Sequence, residues 1–268
     1  MSKKVLTERE KYLRDKRRNK FFVIFTQIGL LVFLIALWEI LANVGIIDSF
    51  ITSKPSRVVE TFFKMISKDL LMHVGITCFE TIVGFLLGTL LGTLIATILW
   101  WSSFLSKVMA PFLVVLNSLP KVALGPIIIV WVGAGMPAII TMALAISLIV
   151  TILDMLNGFM ETDKNRIKMV KTFGANQFQI FTKVVFPSNV STLMNVLKVN
   201  IGLSMVGVIT GEFLVSKGGL GHLIVYGGQV FNLDLVMTSV ILLAIVASIM
   251  YYAVVLLEKL ISRKGKWQ

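Results

Sequence analysis

The sequence predicts an all-α membrane protein that crosses the bilayer six times and carries a cytoplasmic helical hairpin. Hydrophobic residues make up 56% of the chain and charged residues 15%, with a mean hydropathy of +0.88, far from the values of a soluble globular protein. Six apolar stretches are each long enough to span, because about 20 residues cross the hydrocarbon. Lysine and arginine concentrate between and outside these stretches, as in polytopic proteins.

Residues 1–20 form a basic, polar N-terminal segment with nine lysines and arginines. A cleaved signal peptide would have a shorter apolar core and a small-residue cleavage site, whereas the apolar stretch 21–44 is long enough to remain as the first membrane helix. After it, Ser53-Lys-Pro-Ser-Arg57 opens a predicted amphipathic helix. We expect this helix to lie along the outer interface of the membrane.

The second and third spans have different characters. The second, residues 77–100, carries Gly84, Gly88 and Gly92 at a four-residue spacing that lets another helix approach closely. The third, residues 108–131, is interrupted by several residues that an unbroken lipid-facing helix would not tolerate. They are Pro111, Pro120, Lys121, Gly125 and Pro126. The third span is therefore predicted to be buried in protein or to line a cavity.

The remaining spans cover residues 137–156, 190–213 and 235–257, with a glycine-rich loop at 215–234 and a tail at 258–268. The predicted transmembrane domain is thus 21–257. If the N-terminus is cytoplasmic, nineteen lysines and arginines lie inside and five outside. Under the positive-inside rule this bias predicts that both termini are cytoplasmic, together with the polar interval 162–187.

The interval 162–187 has the pattern of two short helices. Thr162 or Asp163 is the expected cap of the first helix, and Gly174 occupies the position after it where a left-handed residue is common. Asn176 and Gln179 have the spacing of a capping box for the second helix. Pro187 is expected to end that helix, because it has no amide hydrogen to donate.

This hairpin resembles the conserved cytoplasmic loop of permease subunits in binding-protein-dependent ATP-binding-cassette (ABC) importers. Gly174, Val184, Phe186 and Pro187 match the family pattern, whereas residues 168–170 depart from its Glu-Ala-Ala triplet. The stretches 118–126 and 211–221 are similar to the branch that contains sulfonate, taurine and nitrate permeases, with pyrimidine-precursor permeases close by. The resemblance covers nearly the whole chain after residue 20.

The resemblance implies an inner-membrane subunit with three protein partners. These are a cytoplasmic ATPase dimer that holds ATP and magnesium, an extracytoplasmic substrate-binding protein, and a second permease copy, for which a homodimer is favoured over pairing with a paralogue. The residues expected to couple the hairpin to the ATPase are Gly174, Ala175, Asn176, Phe178, Phe181 and Pro187. Phe178 and Phe181 would be apolar anchors in a groove of the ATPase; alternatively, they pack the hairpin against the membrane helices.

Chemistry within the chain itself is not indicated. The sequence has no GxxxxGK[ST] segment, so we expect no cofactor bound by this chain. His73, His222 and Cys78 suggest neither a catalytic set nor a metal site, which makes a membrane enzyme the weaker alternative. A non-transporting scaffold would not need the proline–lysine break. The basic residues are not interleaved with aromatics, so no nucleic-acid partner is expected.

Charges within the spans are the candidate residues of a translocation pathway, namely Lys121, Glu80 and Glu212. Lys121 could instead neutralise one of these glutamates. Glu39 could reach interfacial water, and Lys198 could snorkel or pair with a carboxylate. The expected solute is an anion of the sulfonate, taurine or nitrate type, and the second choice is a thiamine-pyrimidine precursor or another heterocycle.

Overall fold

A computed structural model describes residues 8–66 and 69–264, and all regular secondary structure in these residues is helical. The first seven residues of the predicted basic segment and the last four of the predicted tail lie outside the described residues, as do residues 67 and 68. The prediction of an all-α membrane protein is confirmed.

The helices, in chain order, are α1 (Glu8–Val44), α2 (Ser49–Thr52), α3 (Pro55–Ile66), α4 (Leu70–Trp101), α5 (Ser103–Ser118), α6 (Gly125–Val132), α7 (Met136–Glu161), α8 (Lys164–Thr172), α9 (Gln177–Ile180), α10 (Phe186–Ser188), α11 (Val190–Val215), α12 (Leu220–Gln229) and α13 (Leu233–Lys264). A 3₁₀ turn, Lys121–Leu124, precedes α6, and a π-helical turn, Phe181–Val185, joins α9 to α10.

The chain divides into two compact units, and the first ends at Lys64. In this unit α1 is a single helix of 37 residues that includes both basic residues and the first apolar stretch. Near its end, Glu39 accepts hydrogen bonds of 3.0 Å from the backbone nitrogen and from the hydroxyl of Ser56. Glu39 therefore holds the first turn of α3, which gives this intramembrane charge a structural role.

The second unit is built around α7, which packs between α4 and α11. A Cβ atom added to Gly84 of α4 would lie 2.5 Å from Cβ of Ala143, and one added to Gly207 of α11 would lie 2.5 Å from Cα of the same alanine. Glycine is thus required on both sides of α7, because any larger residue would force the helices apart. The predicted close approach at the glycines of the second span is confirmed.

Five described helices are long and apolar enough to cross a membrane, and α5 with the segment Lys121–Val132 makes a sixth span only if this bent pair counts as one. The two halves meet at 88°. The predicted third span, 108–131, is therefore not one continuous helix. Pro120 explains the break, because a residue before proline avoids helical geometry, and Leu119 is extended with ψ 137°.

Two further segments differ from the sequence predictions. The loop predicted for residues 215–234 contains the ten-residue helix α12. Helix α13 begins at Leu233 and continues to Lys264, into the segment predicted as a tail.

Candidate functional site

The hairpin at residues 162–187 has the local geometry that the sequence predicts. The Asp163 carboxylate caps α8 by accepting a 2.8 Å hydrogen bond from the backbone nitrogen of Asn165. Gly174 is left-handed, with φ +79°. The capping box is reciprocal: the Asn176 nitrogen donates to Gln179 Oε1 at 2.9 Å, and the Gln179 nitrogen donates to Asn176 Oδ1 at 2.8 Å.

The end of the hairpin differs from the prediction at Pro187. The second helix does not stop there; it widens into the π-helical turn, and Pro187 lies in the first turn of α10. Proline is tolerated in a first turn, because its missing amide hydrogen would have had no partner there. The helical path is interrupted at Asn189 instead, where φ is −104°.

The two phenylalanines of the second helix lie in different environments. Phe178 is 63% exposed, whereas Phe181 is only 9% exposed and contacts Trp100 and Phe159 at ring-centroid distances of 5.2 and 5.4 Å. Phe181 therefore packs the hairpin against the membrane helices, the alternative left open by the sequence. Ala175 also packs against this core cluster. Phe178 remains accessible to a partner.

Two further exposed large apolar side chains, Met169 and Phe173, lie on or next to α8. They were not among the predicted coupling residues. Their four-residue spacing, which places them on one helix face, was the available signal. We call Met169, Phe173 and Phe178 the exposed apolar residues of the hairpin. Large apolar side chains exposed at a polar segment are typical of a protein-binding surface.

Side-chain hydrogen bonds tie the hairpin to the ends of three long helices. Gln177 Nε2 donates to the backbone oxygen of Trp101, the last residue of α4, at 3.3 Å. Asn189, just before α11, donates from Nδ2 to Thr162 Oγ1 beyond the end of α7 and to the Val185 oxygen, at 2.9 Å each. A force on the hairpin would therefore reach α4, α7 and α11 together.

Glu80 on α4 and Glu212 on α11 form a buried pair. Each is 1% exposed, and the two carboxyl groups lie within hydrogen-bonding reach of each other. Glu212 also accepts hydrogen bonds from Thr77 Oγ1 at 2.6 Å and from the Gly221 nitrogen at 2.5 Å. This burial leaves neither carboxyl group open to a solute in this structure.

Lys121 lies apart from that pair, at the break between α5 and α6. It is half-buried, and its Nζ donates to the backbone oxygen and to Oδ1 of Asn117 at 3.0 and 3.2 Å. Among the described residues it makes no ion pair, so the structure does not show it neutralising Glu80 or Glu212. Lys121 remains an available positive charge where the helix is interrupted.

Lys198 follows one of its two predicted alternatives. Its Nζ forms a 2.7 Å ion pair with Glu258 Oε2, which joins α11 to α13.

These features define a polytopic helical membrane protein with a hairpin that is bonded to three long helices and exposes apolar side chains. A family profile described as "Binding-protein-dependent transport system inner membrane component" matches residues 88–266. The chain belongs to this family. It is a permease subunit of an ABC importer, a class of subunit that lacks an ATPase site of its own, and the sequence-based resemblance is confirmed.

Individual relatives agree with this assignment. The chain is 30% identical over 234 residues to the riboflavin transport system permease protein RibX of Chloroflexus aurantiacus, and the alignment covers 87% of each chain. It is 26% identical over 228 residues to the putative aliphatic sulfonates transport permease protein SsuC of Escherichia coli, covering 85% of this chain and 87% of that protein.

A solved structure shares the fold. A chain of the MetNI methionine ABC transporter in an inward-facing conformation superposes with a TM-score of 0.62 at 21% identity, covering 69% of this chain and 92% of that chain.

Proposed function

We propose that two copies of this chain form the translocation pathway of an importer whose hairpin docks onto a cytoplasmic ATPase dimer. Both termini face the cytoplasm, α5 and α6 together make the sixth span, and a substrate-binding protein delivers the solute from the other side. The observation that supports this proposal is the exposed apolar side chain of Phe178 on a hairpin that is capped and bonded to three long helices.

The docking follows the helix-in-groove mode of recognition. A short helix inserts apolar anchors into a groove of its partner, and affinity comes from their burial. Phe178, with Met169 and Phe173, supplies such anchors, while the buried Phe181 keeps the hairpin fixed to the membrane helices. Movement of the ATPase would then be passed to α4, α7 and α11 through the Gln177 and Asn189 hydrogen bonds.

Substitution of Phe178 tests the docking. Phe178→Asp is expected to insert into the membrane normally, yet to lose the stimulation of ATP hydrolysis by loaded binding protein, because a charge cannot be buried in an apolar groove without a large cost. The measurement is co-purification with the ATPase and stimulated hydrolysis in proteoliposomes. Asn165→Asp adds the same charge at another exposed position of the hairpin and should behave as wild type. Normal assembly and stimulation in Phe178→Asp would refute the assignment.

The solute that the structure favours is a small organic anion such as an aliphatic sulfonate. Lys121 offers a positive charge at a broken helix, and interrupted membrane helices also present unpaired backbone groups, which transporters use to build polar sites at depth. The similarity to a putative aliphatic sulfonate permease supports this choice. A heterocyclic solute is the second candidate, because the riboflavin permease is similar over most of both chains.

Uptake by Lys121 variants separates the two candidates. If Lys121 contacts an anion, Lys121→Met should lower sulfonate uptake by about 10- to 100-fold, the loss expected for one charge-assisted hydrogen bond, and Lys121→Arg should keep part of the activity. The assay compares an aliphatic sulfonate with riboflavin in proteoliposomes that contain the whole importer. Lys107→Met, an exposed lysine of α5, is the matched control. Unchanged sulfonate uptake by Lys121→Met at equal protein level would exclude this role.

A further inference from the structure

In the described part of the chain, the buried glutamate pair has no positively charged partner. Within residues 8–66 and 69–264, neither Glu80 nor Glu212 forms an ion pair with lysine, arginine or histidine. The surrounding polar contacts come from a hydroxyl group and backbone amides. Two negative charges in contact inside a membrane protein would repel strongly, since both the low dielectric and the missing counter-charge raise the cost. Carboxyl pairs of this kind share one proton.

The hydrogen bonds identify which glutamate carries the charge. Glu212 accepts from Thr77 Oγ1 and from the Gly221 nitrogen, and such donors stabilise a carboxylate. Among the residues that the structure describes, Glu80 has no comparable donors, and its buried Oε2 has no hydrogen-bond partner. An unpartnered oxygen costs far less on a neutral acid than on a carboxylate. The proton therefore belongs on Glu80.

We propose that Glu80 and Glu212 form a buried proton-binding site, in which neutral Glu80 donates a hydrogen bond to the Glu212 carboxylate and keeps that carboxylate at the start of α12. The bound ligand is a single proton. Glu80 and Glu212 are thus positioning residues of the fold around α12, which is a different role from direct contact with the transported solute.

The backbone next to the Glu212 carboxylate has glycine where any side chain would collide with it. Gly219 has φ +102°, and a Cβ atom there would overlap the Glu212 carboxyl group; a Cβ atom at Gly221 would lie 2.7 Å from Oε2. Thr77 of α4 links α11 to α12, because its hydroxyl donates to Glu212 on α11 and accepts a 2.8 Å hydrogen bond from the Leu220 nitrogen at the start of α12. The site therefore joins α4, α11 and α12 at one point.

Two histidines lie beside the chain segment 219–221 that contacts Glu212, and both can also bind protons near this site. His73 on α4 accepts a 3.0 Å hydrogen bond from the Gly219 nitrogen through Nδ1, so this ring nitrogen carries no proton. The ring of His222 on α12 lies 6.2 Å from that of His73. No charged side chain of α7 or α13 in the described part of the chain interacts with either carboxyl group. The readout must therefore distinguish carboxyl groups from imidazoles.

Infrared spectroscopy of the purified importer at neutral pH provides this readout, because a protonated carboxylic acid has a carbonyl band that neither a carboxylate nor an imidazole has. Glu80→Gln should remove one such band from the wild-type spectrum. Asp154→Asn, which alters another acid within a span, should leave that band in place. Loss of no acid band in Glu80→Gln would show that Glu80 carries no proton and would overturn the proposal.

Thermal stability locates the proton within the pair. Glu80→Gln should melt close to wild type, because the glutamine amide can donate the same hydrogen bond to Glu212. Glu212→Gln should melt about 4–8 °C lower, because Thr77 and Gly221 lose their charged acceptor. The reverse order of stabilities would place the charge on Glu80 and refute the assignment.

Discussion

At the scale of single residues, the ion pair between Lys198 and Glu258 shows how a charge is accommodated within the spans. The two side chains are 21% and 32% exposed, so water screens the pair only in part. Asn195 Oδ1 accepts a further hydrogen bond of 3.3 Å from Lys198 Nζ. Removing one member of such a pair leaves the other charge without its partner, and that residual charge is the main source of the cost.

We predict that Lys198→Met destabilises the protein by about 1–3 kcal/mol, less than for a fully buried pair because both groups reach water. The measurement is the melting temperature of the purified protein in detergent. The double variant Lys198→Met with Glu258→Gln should recover most of the loss, since it leaves no unpaired charge. Lys259→Met, next to Glu258 but exposed, is the control and should melt like wild type. A double variant as unstable as Lys198→Met would contradict this explanation.

The residues that the sequence predicted well are those whose partners are close in the chain. The capping box of Asn176 and Gln179 and the left-handed Gly174 depend on three or four consecutive positions, so the pattern was sufficient. The separation of Phe178 from Phe181 could not be predicted in this way, because the burial of Phe181 depends on Trp100, which is distant in the chain. The contact between Glu80 and Glu212 could not be predicted either, because these residues are also far apart in the chain.

At the scale of helices, the packing of α7 between α4 and α11 depends on small residues at the contacts. Gly211 faces Ile139, whose Cα would lie 2.9 Å from an added Cβ atom, and Gly207 faces the backbone of Ala143. Backbone atoms cannot move aside as the end of a side chain can. Helix association in membranes depends strongly on such close packing, because burial from lipid gives little hydrophobic gain.

Gly207→Ala is predicted to destabilise the protein by about 1–3 kcal/mol through overpacking against Ala143. Among the described residues, nothing outside its own helical backbone lies within 4 Å of a Cβ atom added to Gly202 on the same helix, which makes Gly202→Ala the matched control. The control should be neutral or slightly stabilising, since alanine is the better helix former. Thermal melting of the two variants in the same detergent makes the comparison. Equal melting temperatures would show that this contact does not hold the helices together.

Sequence patterns predicted whole helices and breaks correctly where proline or periodicity determined them. They failed for α12, because its many glycines are not typical of a helix. Pro120 predicted the break in the third span, but its angle of 88° depends on packing that the sequence does not reveal. Helix α12 was missed because four glycines lie within or just before it, at Gly219, Gly221, Gly227 and Gly228. Glycine normally weakens a helix. The hydrogen bonds from the start of α12 to Glu212 and Thr77, which stabilise this helix, become visible only in three dimensions.

At the scale of the whole molecule, α11 connects the hairpin, which is the proposed ATPase-binding surface, to the opposite side of the membrane. The hairpin ends just before α11, and Lys217 follows just after it. A helix of 26 residues extends about 39 Å, which exceeds the hydrocarbon thickness of about 30 Å. If α11 spans, Asn165 of the hairpin and Lys217 must lie on opposite faces, and the distribution of positive charge predicts that the hairpin lies on the cytoplasmic side.

Cysteine labelling tests this arrangement. In a Cys78→Ser background, a cysteine replacing Asn165 should react with a membrane-impermeant maleimide only after the cells are permeabilised, whereas one replacing Lys217 should react in intact cells. Both positions are exposed, so absence of labelling would reflect the membrane and not burial. The Cys78→Ser protein without a new cysteine gives the background. Labelling of both positions from one face would show that α11 does not cross, and labelling with the two faces exchanged would keep the span but invert the proposed orientation, leaving the ATPase without access to the hairpin.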